Sequence, residues 1–271
     1  MVCHSPSTPK YHLLTNGQEH LEAEFKPDFV VSVDVADTQL FGKTLQSYIG
    51  KVDLVFDHHP TNSGFGKINV IDPTSSSTGE SILNLIEEMQ IEITPTIADF
   101  IYIAISTDTG CFRYSNTNAK TFRAAAKLAE LGADIANINR RFFEIRTRSQ
   151  IEIERMAMER LRFYRNGSIA VIVVSLDMIK TTEATEDDVE GLSTFPRRIL
   201  GVEVGITLRE ISNNEFKISA RSNGLVDVAE ICKIFGGGGH KKAAGCTIKG
   251  NINDIEKNIV ETICEAFEAV K

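Results

Sequence analysis

The sequence predicts an α/β protein with a parallel-sheet domain over residues 1–164 and a smaller α/β domain over residues 165–271. Three observations predict this. Apolar, β-branched runs at Phe29–Val33 and Val52–Phe56 suit strands buried on both faces, the pattern of parallel sheets. The stretch between them, Thr38–Lys51, has the length of a crossover connection. Past the turn Arg165-Asn166-Gly167, three strand-like runs precede two helical segments, as in a separate mixed domain.

Taken in order, residues before Lys26 lack sustained periodicity and read as loop with some short helix. Phe29–Asp34 is the first strand, Thr38–Tyr48 has weak helical spacing, and Val52–Phe56 is the second strand. Ile68–Ile71 forms a short strand between two turns. The hydroxyl run Ser75–Thr78 opens a helix that continues through Met89. These hydroxyls either cap the helix or, with its N-terminus, face an anionic phosphate. Pro95–Ile105 reads as a helix, or as a helix running into a strand, and Ile101–Asp108 is a third apolar run ending in an acid. Asn118 caps an Ala-rich helix over Ala119–Leu131 that stops at Gly132. Ile135–Phe143 continues helical, and Ser149–Phe163 is a charged helix, with Arg140, Arg141, Arg146 and Arg148 on solvated faces. The second domain carries strands at Ser168–Val174, Val202–Arg209 and Glu215–Ala220. A helix at Val226–Phe235, a glycine loop at Gly236–Gly239 and a closing amphipathic helix at Asn253–Val270 complete it.

The segment Val52–Pro60, VDLVFDHHP, sets the chemistry. Ligands of open α/β sheets bind beyond the carboxyl ends of the strands, where this segment places Asp57, His58 and His59. One reading is a polar turn with Asp57 capping and the histidines solvated. The other adds Asp34 and Asp108 at the ends of the neighbouring apolar runs. Asp34, His58 and Asp108 then form a carboxylate and imidazole set that suits Mn²⁺ or Mg²⁺ better than thiolates would.

In the second half, Gly236–Gly239 allows backbone to approach a ligand closely, and its N–H groups can nest around an anion. With His240 after it and Arg221-Ser222 at a strand end, the run reads as a terminal-phosphate and base site. Arg221 supplies a bidentate grip, and Lys241 and Lys242 supply point charge.

The successive motifs VSVDVAD, FDHHPTN with SSSTGE, STDTGCFRYSNT and FGGGGHKKAAG resemble those of the DHH phosphoesterases, in the NrnA-type oligoribonuclease and phosphoadenosine-phosphate phosphatase group. The resemblance runs from about Tyr11 to the end and implies a DHH domain followed by a DHH-associated substrate-binding domain. It implies two metal ions that clamp the attacking and leaving oxygens of a phosphoester. Asp34 would bridge both, with His58 and Asp108 on the second. Asp57 would orient an imidazole, and His59 would meet the substrate phosphate or stay structural. Arg113, Arg221, Ser222, Gly237, Gly238, Gly239 and His240 would bind substrate in a cleft between the domains. The family opens with a His-x-x-x-Asp-x-Asp motif, and nothing before Asp34 matches it. His4, His12 and His20, the last in HLEAE, lie at the wrong offsets, so the chain is expected to start after the family's first β-α unit and to hold one ion.

Composition narrows the function. The 271 residues are 42% hydrophobic and 24% charged, with no 18-residue apolar run and no secretory leader, so a cytoplasmic protein without a membrane span is expected. Five scattered cysteines, none in C-x-x-C, exclude a disulfide framework and a zinc ribbon. A net charge of −8 disfavours long duplex nucleic acid. Short single-stranded RNA or DNA, or a nucleoside 3′,5′-bisphosphate, remains as substrate. Three readings stay open beside it: a nucleotide-binding fragment without turnover, a cyclic or linear dinucleotide phosphodiesterase, and an inorganic pyrophosphatase. A homodimer is left open as the assembly.

Overall fold

A computed structural model describes Tyr11 and residues 26–269. The expected loop and short helix before Lys26, with His4, His12, His20 and HLEAE, lie outside the described residues. The chain divides into two compact units, Met1–Ile145 and Arg146–Lys271.

The first unit holds a parallel sheet in the order β1-β2-β3, formed by Val31–Val33, Leu54–Asp57 and Ile68–Ile71. Strand β2 lies between the others and is the most buried, which is why its sequence is a continuous apolar run. The weak helical spacing over 38–48 forms two single 3₁₀ turns, Thr38–Phe41 and Gln46–Tyr48, in place of one crossover helix. Helix α1 (Thr78–Glu88) starts at Ser77, whose hydroxyl accepts the Glu80 N–H. Helix α2 (Pro95–Asp108) starts at Thr94 with Pro95 in its first turn. The run Ile101–Asp108, expected to end beside the sheet as the strands do, is therefore the second half of a helix. Ile101, Tyr102, Ile103 and Ile105 are all buried, so its apolar residues surround the axis and leave no helical period to read. Gly79 lets α1 and α2 approach, since a Cβ there would stand 2.6 Å from the Ala104 Cβ. Helices α3 (Ala119–Glu130), with an Asn118 and Thr121 capping box, and α4 (Ile135–Asn139) complete the unit.

The second unit begins with helix α5 (Arg148–Glu159), whose Ile153 and Ala157 pack on Ile172 and Val174. That packing places the helix in the second compact unit. The charged helix ends at Glu159, and Phe163 belongs to a strand, β4 (Arg162–Tyr164). Six strands follow the order β4-β5-β6-β7-β9-β8. They are β4, β5 (Ile169–Val174), β6 (Val204–Ser212), β7 (Glu215–Ser222), β8 (Gly238–His240) and β9 (Ala243–Lys249). Only β5 and β6 pair in parallel. Every residue of β5 is buried because Ile169, Val171 and Val173 face one core while Ile172 and Val174 face another. Helices α6 (Leu176–Thr182) and α7 (Glu186–Glu190) join α5 on one side. Helices α8 (Val228–Ile234) and α9 (Ile252–Ala269) cover the other. No helix among the described residues is long and apolar enough to cross a membrane.

Candidate active site

The chain leaves β1 at Asp34 and β2 at Asp57, two neighbouring parallel strands. Asp34 takes a left-handed φ of 60°, which an aspartate tolerates better than a branched residue would. Its N–H donates to the Phe56 carbonyl at 2.9 Å, and the Thr78 hydroxyl donates to its Oδ1 at 2.7 Å. The turn after β2 then places His58 against it.

His58 Nδ1 faces the Ser75 carbonyl at 3.3 Å. A carbonyl can only accept, so Nδ1 donates there, and Nε2 is the ring nitrogen turned toward the carboxylates. That Nε2 lies 3.7 Å from Asp34 Oδ1 and 3.5 Å from Asp108 Oδ2. Two carboxylates and an imidazole nitrogen thus face one another, the donor set that a hard-to-borderline divalent ion takes. Asp34, His58 and His59 also form a group whose potential ligand atoms lie within 4.8 Å of one another. Burial, and then the charge of Asp34, push the Asp108 carboxyl up to about 6. A bound cation would reverse that pressure.

Asp57 is fully buried and carries three donors: the His58 N–H at 2.8 Å, His59 Nδ1 at 2.6 Å and the Asn62 amide at 2.5 Å. Burial alone would raise its pKa, but these bonds outweigh it and hold the carboxylate below its ordinary value. The same bond and the surrounding carboxylates raise the His59 pKa against its burial. His59 is fixed through Nδ1 and stays half-exposed at its other edge.

Three details lay beyond sequence reasoning. Asp108 reaches the site from the C-terminus of α2, after which Gly110, Cys111 and Phe112 run left-handed and turn the chain away. Asn116, in no expected role, donates to the carbonyls of Ser76 and Asp108 and ties the two loops together. Ser75, Ser76 and Ser77 are buried, and their hydroxyls are committed to Asp72, Glu80 and the α1 N-cap, which leaves Thr78 as the hydroxyl that reaches the site. The capping alternative for this run therefore holds. Arg113 is exposed, and its Nε donates to the Gly110 carbonyl at 2.6 Å. A pocket of about 310 Å³ lined by Asp34, Thr78, Asp108, Val33, Ile82 and Phe100 opens beside the cluster.

In the second unit, Arg221 is half-buried and donates to the Ala220 and Ala244 carbonyls. Ser222, expected to bind substrate, is fully buried, with its hydroxyl on Glu203 and on the Gly224 N–H, so it braces the loop instead. The glycine run is also not all loop, because Gly238–His240 forms β8. Gly237 and Gly239 are needed for the protein's own packing: a Cβ at Gly237 would stand 2.2 Å from the Gly245 oxygen, and one at Gly239 2.6 Å from the Ala243 oxygen. Gly238 has open space where a side chain would be, and His240 is exposed.

Known proteins similar to this chain indicate its family. The DHHA1 domain matches residues 166–269. The chain is 30% identical over 238 residues to the bifunctional oligoribonuclease and PAP phosphatase NrnA of Thermus thermophilus, covering 87% of this chain and 70% of that protein. It is 26% identical over 238 residues to a probable protein of the same name in Streptococcus mutans, covering 88% and 75%. An exopolyphosphatase-related protein from Bacteroides fragilis shares the fold with a TM-score of 0.82 at 24% identity, over 90% of this chain and 73% of its own. The relatives define the class, a phosphoesterase hydrolase. Within that class the chain belongs to the NrnA-type DHH family.

Proposed function

We propose that this chain hydrolyses short single-stranded oligoribonucleotides, or the phosphoester of a nucleoside 3′,5′-bisphosphate, using Mn²⁺ or Mg²⁺. The observation that carries the reading is Nε2 of His58 facing Asp34 and Asp108 at 3.7 and 3.5 Å. The relatives' activities, oligoribonuclease and PAP phosphatase by name, suggest the substrate classes. Four cysteines among the described residues are free, which favours a cytoplasmic setting.

Asp34, His58 and Asp108 would hold the cation. When bound, it supplies Lewis-acid polarisation of the phosphoryl group and a stronger water nucleophile. The protein does the positioning: Thr78 steadies Asp34, the Ser75 carbonyl selects the His58 tautomer, and Asp57 aligns His59 through Nδ1. His59 then presents Nε2 as a donor to a substrate phosphoryl oxygen. On the second unit, Arg221 and His240 bind the nucleotide's phosphate, and Gly238 leaves room for close approach.

The test is a Mn²⁺ titration by calorimetry with two assays, release of AMP from 5′-phosphorylated diadenylate and release of phosphate from adenosine 3′,5′-bisphosphate. The expected result is Mn²⁺-dependent turnover of at least one, lost in His58→Ala. Binding of Mn²⁺ and nucleotide with neither product formed would overturn it and leave a nucleotide-binding protein.

A further inference from the structure

Residues directly opposite in an antiparallel sheet point to the same face. Gly205 of β6 pairs with Arg221 of β7, Arg221 with Ala243 of β9, and Ala243 with His240 of β8. Arg221 and His240 therefore stand in one row on one face. The opposite face is closed, because Val204, Ile206, Ile218, Ala220 and Ala244 enter the core shared with α8 and α9.

Gly205 shows what else shares the open face. A Cβ there would lie 2.4 Å from the Arg197 nitrogen and 2.9 Å from the Pro196 carbonyl carbon, so the turn Pro196–Arg198 rests on the row that holds Arg221. Only a glycine permits that approach. Asn223 fastens the turn, its amide donating to the Arg197 carbonyl at 3.4 Å and to the Val202 carbonyl at 2.8 Å. The sequence Arg221-Ser222-Asn223 thus supplies a cation, a brace on Glu203, and a tether for the turn that carries a second arginine.

Among the described residues, neither Arg197 nor Arg221 has a carboxylate partner, and the Arg197 guanidinium meets no acceptor. Glu203 is already committed to the Ser222 hydroxyl and to the N–H groups of Gly224, Leu225 and Val226. Burial, and then the charge of Arg197, lower the proton affinity of Arg221, so the two cations feel each other. Adjacent guanidiniums that repel and lack a carboxylate form a site that an anion would complete.

We propose that Arg197 is the second guanidinium of the anion site on this face and grips, with Arg221, the terminal phosphate of a nucleotide. This assignment rests on the function proposed above and adds a binding residue to it. In that role Arg197 meets the phosphate directly, while Asn223 and Gly205 position it.

The test is calorimetric binding of AMP, with adenosine as the phosphate-free control, to the full chain in Mn²⁺ at several salt concentrations. Arg197→Gln should weaken AMP binding by about 10- to 100-fold, the loss of one charge-assisted contact. Adenosine binding and the melting temperature should not change. AMP binding should become less sensitive to salt, and Arg197→Lys should bind AMP with intermediate affinity. If Arg197→Gln binds AMP like the parent while Arg221→Gln is weakened, the Arg197 assignment is wrong and the proposed function stands. If the parent protein does not bind AMP, both fall together.

Discussion

His58 Nε2 lies 3.5 Å from Asp108 Oδ2, although the histidine follows a strand and the aspartate ends a helix. The other ring nitrogen, Nδ1, meets the Ser75 carbonyl, which leaves Nε2 to face Asp108. Asp108→Asn keeps the shape and removes the charge a cation needs. Mn²⁺ affinity should fall by more than the roughly 10- to 100-fold typical of a supporting residue, with turnover lost at micromolar Mn²⁺. Unchanged Mn²⁺ affinity by calorimetry would remove Asp108 from the ligand set.

Asp57 acts at one remove. Its carboxylate accepts from three donors, and an amide at that position must turn an NH₂ toward at least one of them. Asp57→Asn should lower turnover by roughly 10- to 100-fold at saturating metal and cost about 1–3 kcal/mol of stability through the mismatched buried bond. The discriminating measurement is the His59 imidazole ¹⁵N shift, which should move with the variant. If it stays put while turnover falls, Asp57 does not work through His59.

The sequence carried the strand ends plainly because β2 is buried between its neighbours and reads as an uninterrupted apolar run up to Asp57. His58 is legible for the same reason, whereas Asp34 follows an apolar run that forms an edge strand with Val31 and Val33 exposed. Asp108 was found as an acid after an apolar run, but the run is a helix with Ile101, Ile103 and Ile105 buried around its axis, so burial erased the period that separates helix from strand. Ser222 and the serines of 75–77 look like ligand groups because a hydroxyl committed inward has the same letter as one facing substrate. Asn116 and Arg197 gave no local signal, since each gains its place from a chain crossing far away in sequence. Gly205 is a letter that hints at such a crossing, a glycine in the buried half of a strand.

Two neighbouring glycines should respond oppositely to alanine. At Gly237 the new methyl would meet Cys246 Cβ at 2.5 Å and the Gly245 oxygen at 2.2 Å, so Gly237→Ala should destabilise the protein by roughly 1–3 kcal/mol. At Gly238 nothing lies within 4 Å, and Gly238→Ala should melt within about 0.5 kcal/mol of the parent. If Gly238 is where a ligand approaches, the same variant should lose nucleotide affinity. Equal melting of both variants would show that close packing is not what selects Gly237.

Asp188 joins two helices of the second unit, accepting the Thr147 hydroxyl at 2.6 Å and the Thr185 N–H and hydroxyl at 2.8 and 2.9 Å. Burial pushes its pKa up, but these donors outweigh burial and leave the carboxyl below its ordinary 3.8. A depressed folded pKa contributes stability that is present above the unfolded value and is lost as pH falls through the folded one. Asp188→Asn should therefore be less stable than the parent by roughly 1.5–3 kcal/mol at pH 7, the worth of hydrogen bonds to a charged group. The gap should hold down to about pH 5 and narrow steadily below it as the parent's own carboxylate is protonated. Urea unfolding of both proteins at pH 7, 5, 4 and 3 checks the sign. A gap that stays constant across that series would mean that the Asp188 charge adds nothing beyond its shape.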